Sequence, residues 1–348
     1  MTVPVGIGLV GLGMWGRRIA VAATRTQGFR LASCFARNED ARRETAADVD
    51  CRPAESIEAL LDDPGVEGVL VATPNHAHRD IALAAAERGK HVFVEKPMAD
   101  SIEAAEAMRD ACTRAGVVLF VGHCFRRLGA ARASAALVCD NALGKVVLAE
   151  ANFSLPGTFP PGSWRPRRAT LAGGSMTQLG IHHADTLQAW LGPAVAVRGS
   201  LAHLAAPAEI DDVAAAVLEH ASGARSVIGA SYVSPKTYRI RLYGTEANLE
   251  YLTDMSVWPE AERMDEATTV SLDRGDRSEA VPFQRRDVLV DELEEFGRCV
   301  REGTAPETGA AEGMAALRVI LGVVASVEDG RTAQVDDERS TGERSGQR

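Results

Sequence analysis

Val5-Gly6-Ile7-Gly8-Leu9-Val10-Gly11-Leu12-Gly13-Met14-Trp15-Gly16 is the stretch whose reading decides the fold. Val5 to Val10 is a short apolar run, the mark of a strand buried on both faces. Arg17-Arg18-Ile19-Ala20-Val21-Ala22-Ala23 continues as a helix. Between them lies G-x-G-x-x-G, in the strand–turn–helix setting that gives the motif its meaning. Gly11 permits a tight turn, Gly13 leaves room for a pyrophosphate, and Gly16 lets the helix lie close to the strand. The helix N-terminus adds free N–H groups and a positive dipole end. Gly11, Gly13, Met14, Trp15 and Gly16 are therefore expected to cradle a dinucleotide.

The chain that follows alternates strand and helix. Phe29 to Ala36 reads as the second strand, and its tip carries Arg37 where an NAD-preferring fold usually carries an acid. An arginine there can pair with a 2′-phosphate and stack on adenine, which favours NADP with NAD as the alternative. Gly68 to Ala72 is a buried strand that ends in Thr73-Pro74-Asn75-His76-Ala77-His78. Val92 to Val94 is another, and it ends in Glu95-Lys96-Pro97. Ligands bind beyond the carboxyl ends of such strands, so both polar turns are site candidates. Ser101 to Ala115 is a capped amphipathic helix, and Val117 to Val121 a further strand. Residues 1–127 thus read as a doubly wound parallel sheet.

The pattern changes after residue 128. Residues 130–140 form a linking helix, and Pro156 to Arg168 is a Pro-, Gly- and Arg-rich loop holding Trp164 and Arg165. Gly173-Gly174 opens a helix that runs to Leu191. Strand-like runs at 194–204, 213–220, 225–233, 238–243 and 247–252 have no long helix between them, which predicts a mainly antiparallel sheet. Helices are expected at 287–301 and 310–327. Residues 128–335 read as a second α/β domain and 336–348 as a frayed polar tail. On a continuous helix Gln178, His182 and Asp185 stand at i, i+4 and i+7, on one face.

Composition narrows the function. The 348 residues are 46% hydrophobic and 25% charged, ordinary for a globular protein of about two domains. A net charge of −10 argues against nucleic acid and anionic lipid as partners. The six cysteines are scattered, with no C-x-x-C and no zinc spacing, as expected of reduced thiols in a cytoplasmic protein. The apolar run at the N-terminus leads into the glycine turn, so neither a signal peptide nor a membrane span is expected. The histidines lack carboxylate or cysteine partners at ligand spacing, so no metal site is expected.

The glycine turn, Thr73-Pro74-Asn75-His76-Ala77-His78, Glu95-Lys96-Pro97 and Gly173-Gly174-Ser175 with His182 and Asp185 together resemble the glucose–fructose oxidoreductase / inositol dehydrogenase / rhizopine catabolism (Gfo/Idh/MocA) family. The resemblance covers nearly the whole chain. It implies a Rossmann domain followed by a domain whose open sheet pairs subunits into a homodimer or homotetramer. It also implies that Lys96 lies between nicotinamide and substrate as the proton-transfer group, and that Pro97 follows a cis peptide. His182 is the second proton-transfer candidate. Thr73, Pro74, Asn75, His78 and Glu95 are implied on the cofactor side, and Gln178, Asp185, Trp164, Arg165 and Arg126 on the substrate side. Many redox-active relatives carry Asp at the position of Gln178, so Asp185 could substitute or Lys96 could act alone. The expected activity is NAD(P)-dependent hydride transfer to or from a sugar, cyclitol or related polyol. The alternatives are elimination or epimerisation with retained cofactor, and a nucleotide-binding regulator.

Overall fold

The computed structural model describes residues 4–159, 171–258 and 260–335. Two compact units emerge: 1–124 with 287–314, and 125–286 with 315–348. The helix expected at 287–301 therefore falls in the first unit, although its sequence position groups it with the second domain.

The first unit holds six parallel strands: β1 (Val5–Val10), β2 (Phe29–Phe35), β3 (Arg52–Pro53), β4 (Gly68–Val71), β5 (His91–Glu95) and β6 (Leu119–Gly122). Their order is β3-β2-β1-β4-β5-β6, with the reversal of direction at β1/β4. That order is the dinucleotide-binding arrangement, and its crevice opens beyond the carboxyl ends of β1 and β4. Helices α1 (Met14–Ala23), α2 (Glu39–Asp48), α3 (Ile57–Leu61), α4 (His78–Glu87) and α5 (Ile102–Ala115) connect the strands. Local chemistry sets their ends. Asn38, Ser56 and Ser101 each accept a backbone N–H in the first turn of the helix that follows. Gly116 ends α5 in the left-handed region (φ 66°). Phe93 on β5 stacks on Phe120 of β6 at 4.8 Å, and both meet the edge of Phe296, which fastens a helix late in the chain to this sheet. The two-residue strand β3 is too short to leave a periodic signal in the sequence.

The second unit holds β7 (Val146–Ser154), β8 (Ala194–Ala202), β9 (Val213–His220), β10 (Arg225–Ser231), β11 (Thr237–Gly244), β12 (Asn248–Thr253), β13 (Thr268–Asp273), β14 (Ser278–Ala280) and β15 (Ala333–Gln334). They form one sheet in the order β14-β13-β12-β11-β7-β10-β9-β8-β15. Every pairing is antiparallel except β7 with β10, as the lack of crossover helices requires. One face carries Phe153, Ile228, Ile240, Leu249 and Leu272, all buried. The other carries Val217 paired with Val227, and charged residues such as Glu150 opposite Arg241. Period-two alternation of this kind leaves one face of an antiparallel sheet uncovered.

Helices α6 (Gly129–Cys139) and α7 (Ile181–Leu191) lie on the buried face. The N-terminus of α6 has no local cap. Asp265, remote in sequence, accepts the N–H groups of Gly129 and Ala130 at 2.7 and 3.2 Å. Helix α8 (Val288–Glu302) belongs to the first unit, and α9 (Ala310–Glu328) begins there and continues into the second. α9 is long and apolar enough to cross a membrane by composition. Its Leu317, Val319, Ile320 and Val323 are instead buried in the protein.

Candidate active site

In the first unit the glycine turn has the shape a dinucleotide needs. Gly11 adopts φ +100°, and a Cβ there would lie 2.5 Å from the Ala72 carbonyl oxygen. A Cβ on Gly16 would lie 1.9 Å from the Gly11 oxygen, so α1 approaches the turn only because position 16 has no side chain. A Cβ on Gly13 would meet nothing within 4 Å. The open side of the cradle is therefore at Gly13, where α1 begins with no side-chain cap and no acid in its first turn. Such an end can accept an anionic diphosphate. Thr73 Oγ1, at the end of β4 across the crevice, is buried without a hydrogen-bond partner among the described residues. These features fit a nicotinamide dinucleotide. Arg37 is exposed just past the tip of β2, and Asn38 caps α2 beside it.

His78 lies deeper than its position in a polar turn suggests. It is fully buried, with Nε2 2.9 Å from the Thr73 oxygen and Nδ1 3.1 Å from the Pro97 oxygen. Burial lowers its proton affinity, so the neutral ring donates to one of these carbonyls. It lies between the loop carrying Thr73 and the loop carrying Lys96, and its one N–H is spent on backbone. Asn75 is also buried, in the short turn that precedes α4.

Lys96 is half-buried at the end of β5, and the peptide joining it to Pro97 is cis, as the resemblance implies. Glu95 beside it is 6% exposed. The Trp15 indole Nε1–H donates to Glu95 Oε1 at 2.7 Å. Burial raises the Glu95 carboxyl to about 7, against the opposing pull of the Lys96 charge and the Trp15 hydrogen bond. This bond spans 80 positions, and no local sequence pattern announces it.

Arg126, Gln178, His182 and Asp185 lie in the second unit. Arg126 and Asp185 form a bidentate pair: Nε–H donates to Oδ2 at 2.8 Å and Nη2–H to Oδ1. Both are shielded, at 12% and 2% side-chain exposure. Asp185 is thus held by the Arg126 guanidinium. His182 is 4% exposed and packs against Phe125 at 4.3 Å and Phe153 at 5.7 Å between ring centroids. Gln178 does not sit on a continuous α-helix with His182. Met176–Gly180 forms a π-helical turn before α7, so the i, i+4 spacing expected from the sequence is not that of an ordinary helix. Such turns are frequent at functional sites. Gly174 makes it fit, because a Cβ there would lie 2.0 Å from the Asp211 oxygen. Trp164 and Arg165 lie outside the described residues. No group of His, Cys, Asp or Glu suited to a metal occurs among the described residues.

Residues 5–123 match a family model described as the GFO_IDH_MocA oxidoreductase family with an NAD-binding Rossmann fold. Residues 131–250 match the GFO/IDH/MocA C-terminal domain. D-Xylose 1-dehydrogenase (NADP(+)) 2 of Haloferax volcanii is 30% identical over 333 residues, covering 95% of this chain and 98% of that one. The scyllo-inositol 2-dehydrogenase (NAD(+)) of Bacillus subtilis is 29% identical over 291 residues, 81% of each chain. Among solved structures, that of a Desulfitobacterium hafniense DCB-2 protein matches at a TM-score of 0.92 and 33% identity, over 96% of this chain and 99% of that one. With both halves matched and a full-length relative at this identity, the chain belongs to the GFO/IDH/MocA family and is an oxidoreductase with an NAD(P)-binding Rossmann domain.

Proposed function

We propose that the protein is an NAD(P)-dependent dehydrogenase or reductase acting at a CH–OH carbon of a sugar, cyclitol or related polyol, with Lys96 as general acid/base. The observation that carries this reading is a half-buried lysine at the carboxyl end of β5, in the unit whose glycine turn fits a dinucleotide. The names of the xylose and inositol relatives support the substrate class. A bound nicotinamide would accept or supply hydride. Lys96 would take the hydroxyl proton during oxidation and return it during reduction. His182, held among aromatic rings, is the second proton-transfer candidate. The buried Arg126–Asp185 pair would fix the wall of the substrate site on α7.

NADP is the favoured cofactor, because Arg37 stands past β2 with no acid at the strand tip. The uncovered face of the second sheet, with Val217 and Val227 at 47% and 38% exposure, supports assembly into a homo-oligomer. Nicotinamide absorbance followed with a panel of aldoses, inositols and other polyols tests the reading, with NADP and NAD compared. Lys96→Ala should lower kcat by about 100-fold or more while cofactor affinity stays within about threefold. Full turnover in that variant would remove Lys96 from the chemistry. Conversion of a sugar with no net absorbance change would replace dehydrogenation by elimination or epimerisation with retained cofactor.

A further inference from the structure

Glu95 is a buried acid in an unusual place. Its neighbour in sequence is Lys96, and its hydrogen-bond donor is Trp15, inside the glycine turn. The carboxylate lies close over Gly122 of β6, where an added Cβ would be 3.0 Å from Glu95 Oε1. From α1, Trp15 presents its indole N–H, and the Arg18 guanidinium lies 5.5 Å from the Trp15 ring centroid. From the turn after β6, the buried Cys124 thiol feels the negative charges of Glu95 and of Glu292 on α8, and the positive charge of Lys96. The Lys96 charge acts directly on the Glu95 carboxyl.

We propose that Glu95 is the positioning residue that sets the protonation of Lys96, and that the Trp15 indole holds it in place from within the cofactor-binding turn. The inference rests on the role proposed for Lys96. An ionised Glu95 favours the ammonium form of Lys96, and a neutral Glu95 disfavours it. The Trp15 N–H stabilises the carboxylate, so the bond biases Glu95 towards its charged form. Because Trp15 belongs to the turn that receives the diphosphate, the bond ties cofactor docking to the charge state beside the catalytic lysine. The pair is tuned by burial. A surface acid next to Lys96 would be ionised throughout the working range and would regulate nothing.

The first test uses the enzyme without cofactor, labelled with 15N-tryptophan, and follows its indole resonances from pH 5.5 to 8.5. The chain has 4 tryptophans, and the signal lost in Trp15→Phe identifies the relevant one. The Trp15 signal should move with a midpoint near neutrality, and Glu95→Gln should abolish the movement. Glutamine still offers an oxygen to the indole, so the bond survives while the charge does not. A Trp15 signal that stays flat in the wild type, or that still titrates in Glu95→Gln, would overturn the proposal.

The second test is the pH profile of kcat/KM for polyol oxidation. Oxidation needs Lys96 as a base, so its rising limb should move to lower pH in Glu95→Gln, by about one unit. Trp15→Phe should move the limb in the same direction by less. An unmoved limb in Glu95→Gln sinks the coupling. A shift in Glu95→Gln with none in Trp15→Phe sinks the part assigned to Trp15. Lys96→Ala separates the two levels of the argument. If it keeps full turnover, the role of Lys96 itself falls, whatever the tryptophan resonance does.

Discussion

His183, next to the proposed catalytic His182 on α7, should make this protein sensitive to acid. It is fully buried, and its ring lies 4.7 Å from that of Tyr238 and edge-on to Phe153 at 6.4 Å. The ring lies near the Asn152 backbone, but neither nitrogen makes a well-formed hydrogen bond. Burial lowers its pKa from 6.5 to about 4. The unfolded chain therefore binds a proton below pH 6.5 that the folded chain refuses until about pH 4, and stability falls as pH drops through that window. Between pH 7 and 4.5 the loss from this one group is about 2 kcal/mol. His183→Phe keeps a ring of similar shape in the aromatic cluster and removes the titration. Urea unfolding of wild type and variant at pH 7.0 and 4.5 isolates the effect, because the other titrating groups cancel in the difference of differences. The variant should lose about 2 kcal/mol less than the wild type on acidification. Equal losses in the two proteins would show that His183 does not carry its neutral ring into acid, and the reasoning from burial would fail.

Three further outcomes follow from the geometry. Gly13→Ala should melt within a few degrees of the wild type, since its Cβ meets nothing, yet bind NADP about tenfold more weakly or worse. Gly16→Ala should lower the melting temperature as well, because its Cβ would strike the Gly11 carbonyl. Equal effects of the two, read by thermal melting and cofactor fluorescence, would contradict the cradle. Arg126→Ala removes the bidentate partner of the buried Asp185 and should destabilise by about 3 kcal/mol. The double change Arg126→Met with Asp185→Leu should recover most of that stability and none of the kcat, which denaturant unfolding and steady-state kinetics would check. A double variant with normal turnover would make the pair purely structural. Val217→Arg, on the uncovered sheet face, should give a species of 37.0 kDa by light scattering where the wild type, if it assembles as proposed, should give a multiple of it. An unchanged mass would place subunit contacts elsewhere.

The sequence by itself determined most of the elements and the kind of enzyme. The G-x-G-x-x-G turn, the apolar β1 and β4, the cap at Ser101 and the alternation along β9 to β12 are all local. Each rests on backbone conformation or on the period of burial within a few residues, which a single segment displays. Glu95-Lys96-Pro97 belongs with them, because it stands where a strand ends and a turn begins. What tertiary structure alone decided is which polar groups share a partner. Trp15 reaches Glu95 across 80 positions, Arg126 takes Asp185 across 59, and Asp265 caps α6 from 136 positions away. The π-helical turn under Gln178 and the depth of His78 and His183 belong to this class too. A buried polar side chain must find a partner or lose its charge, and folding brings that partner from anywhere in the chain. Only the folded chain therefore fixes which acid is held by which donor, and which polar group is buried deeply enough to lose its charge.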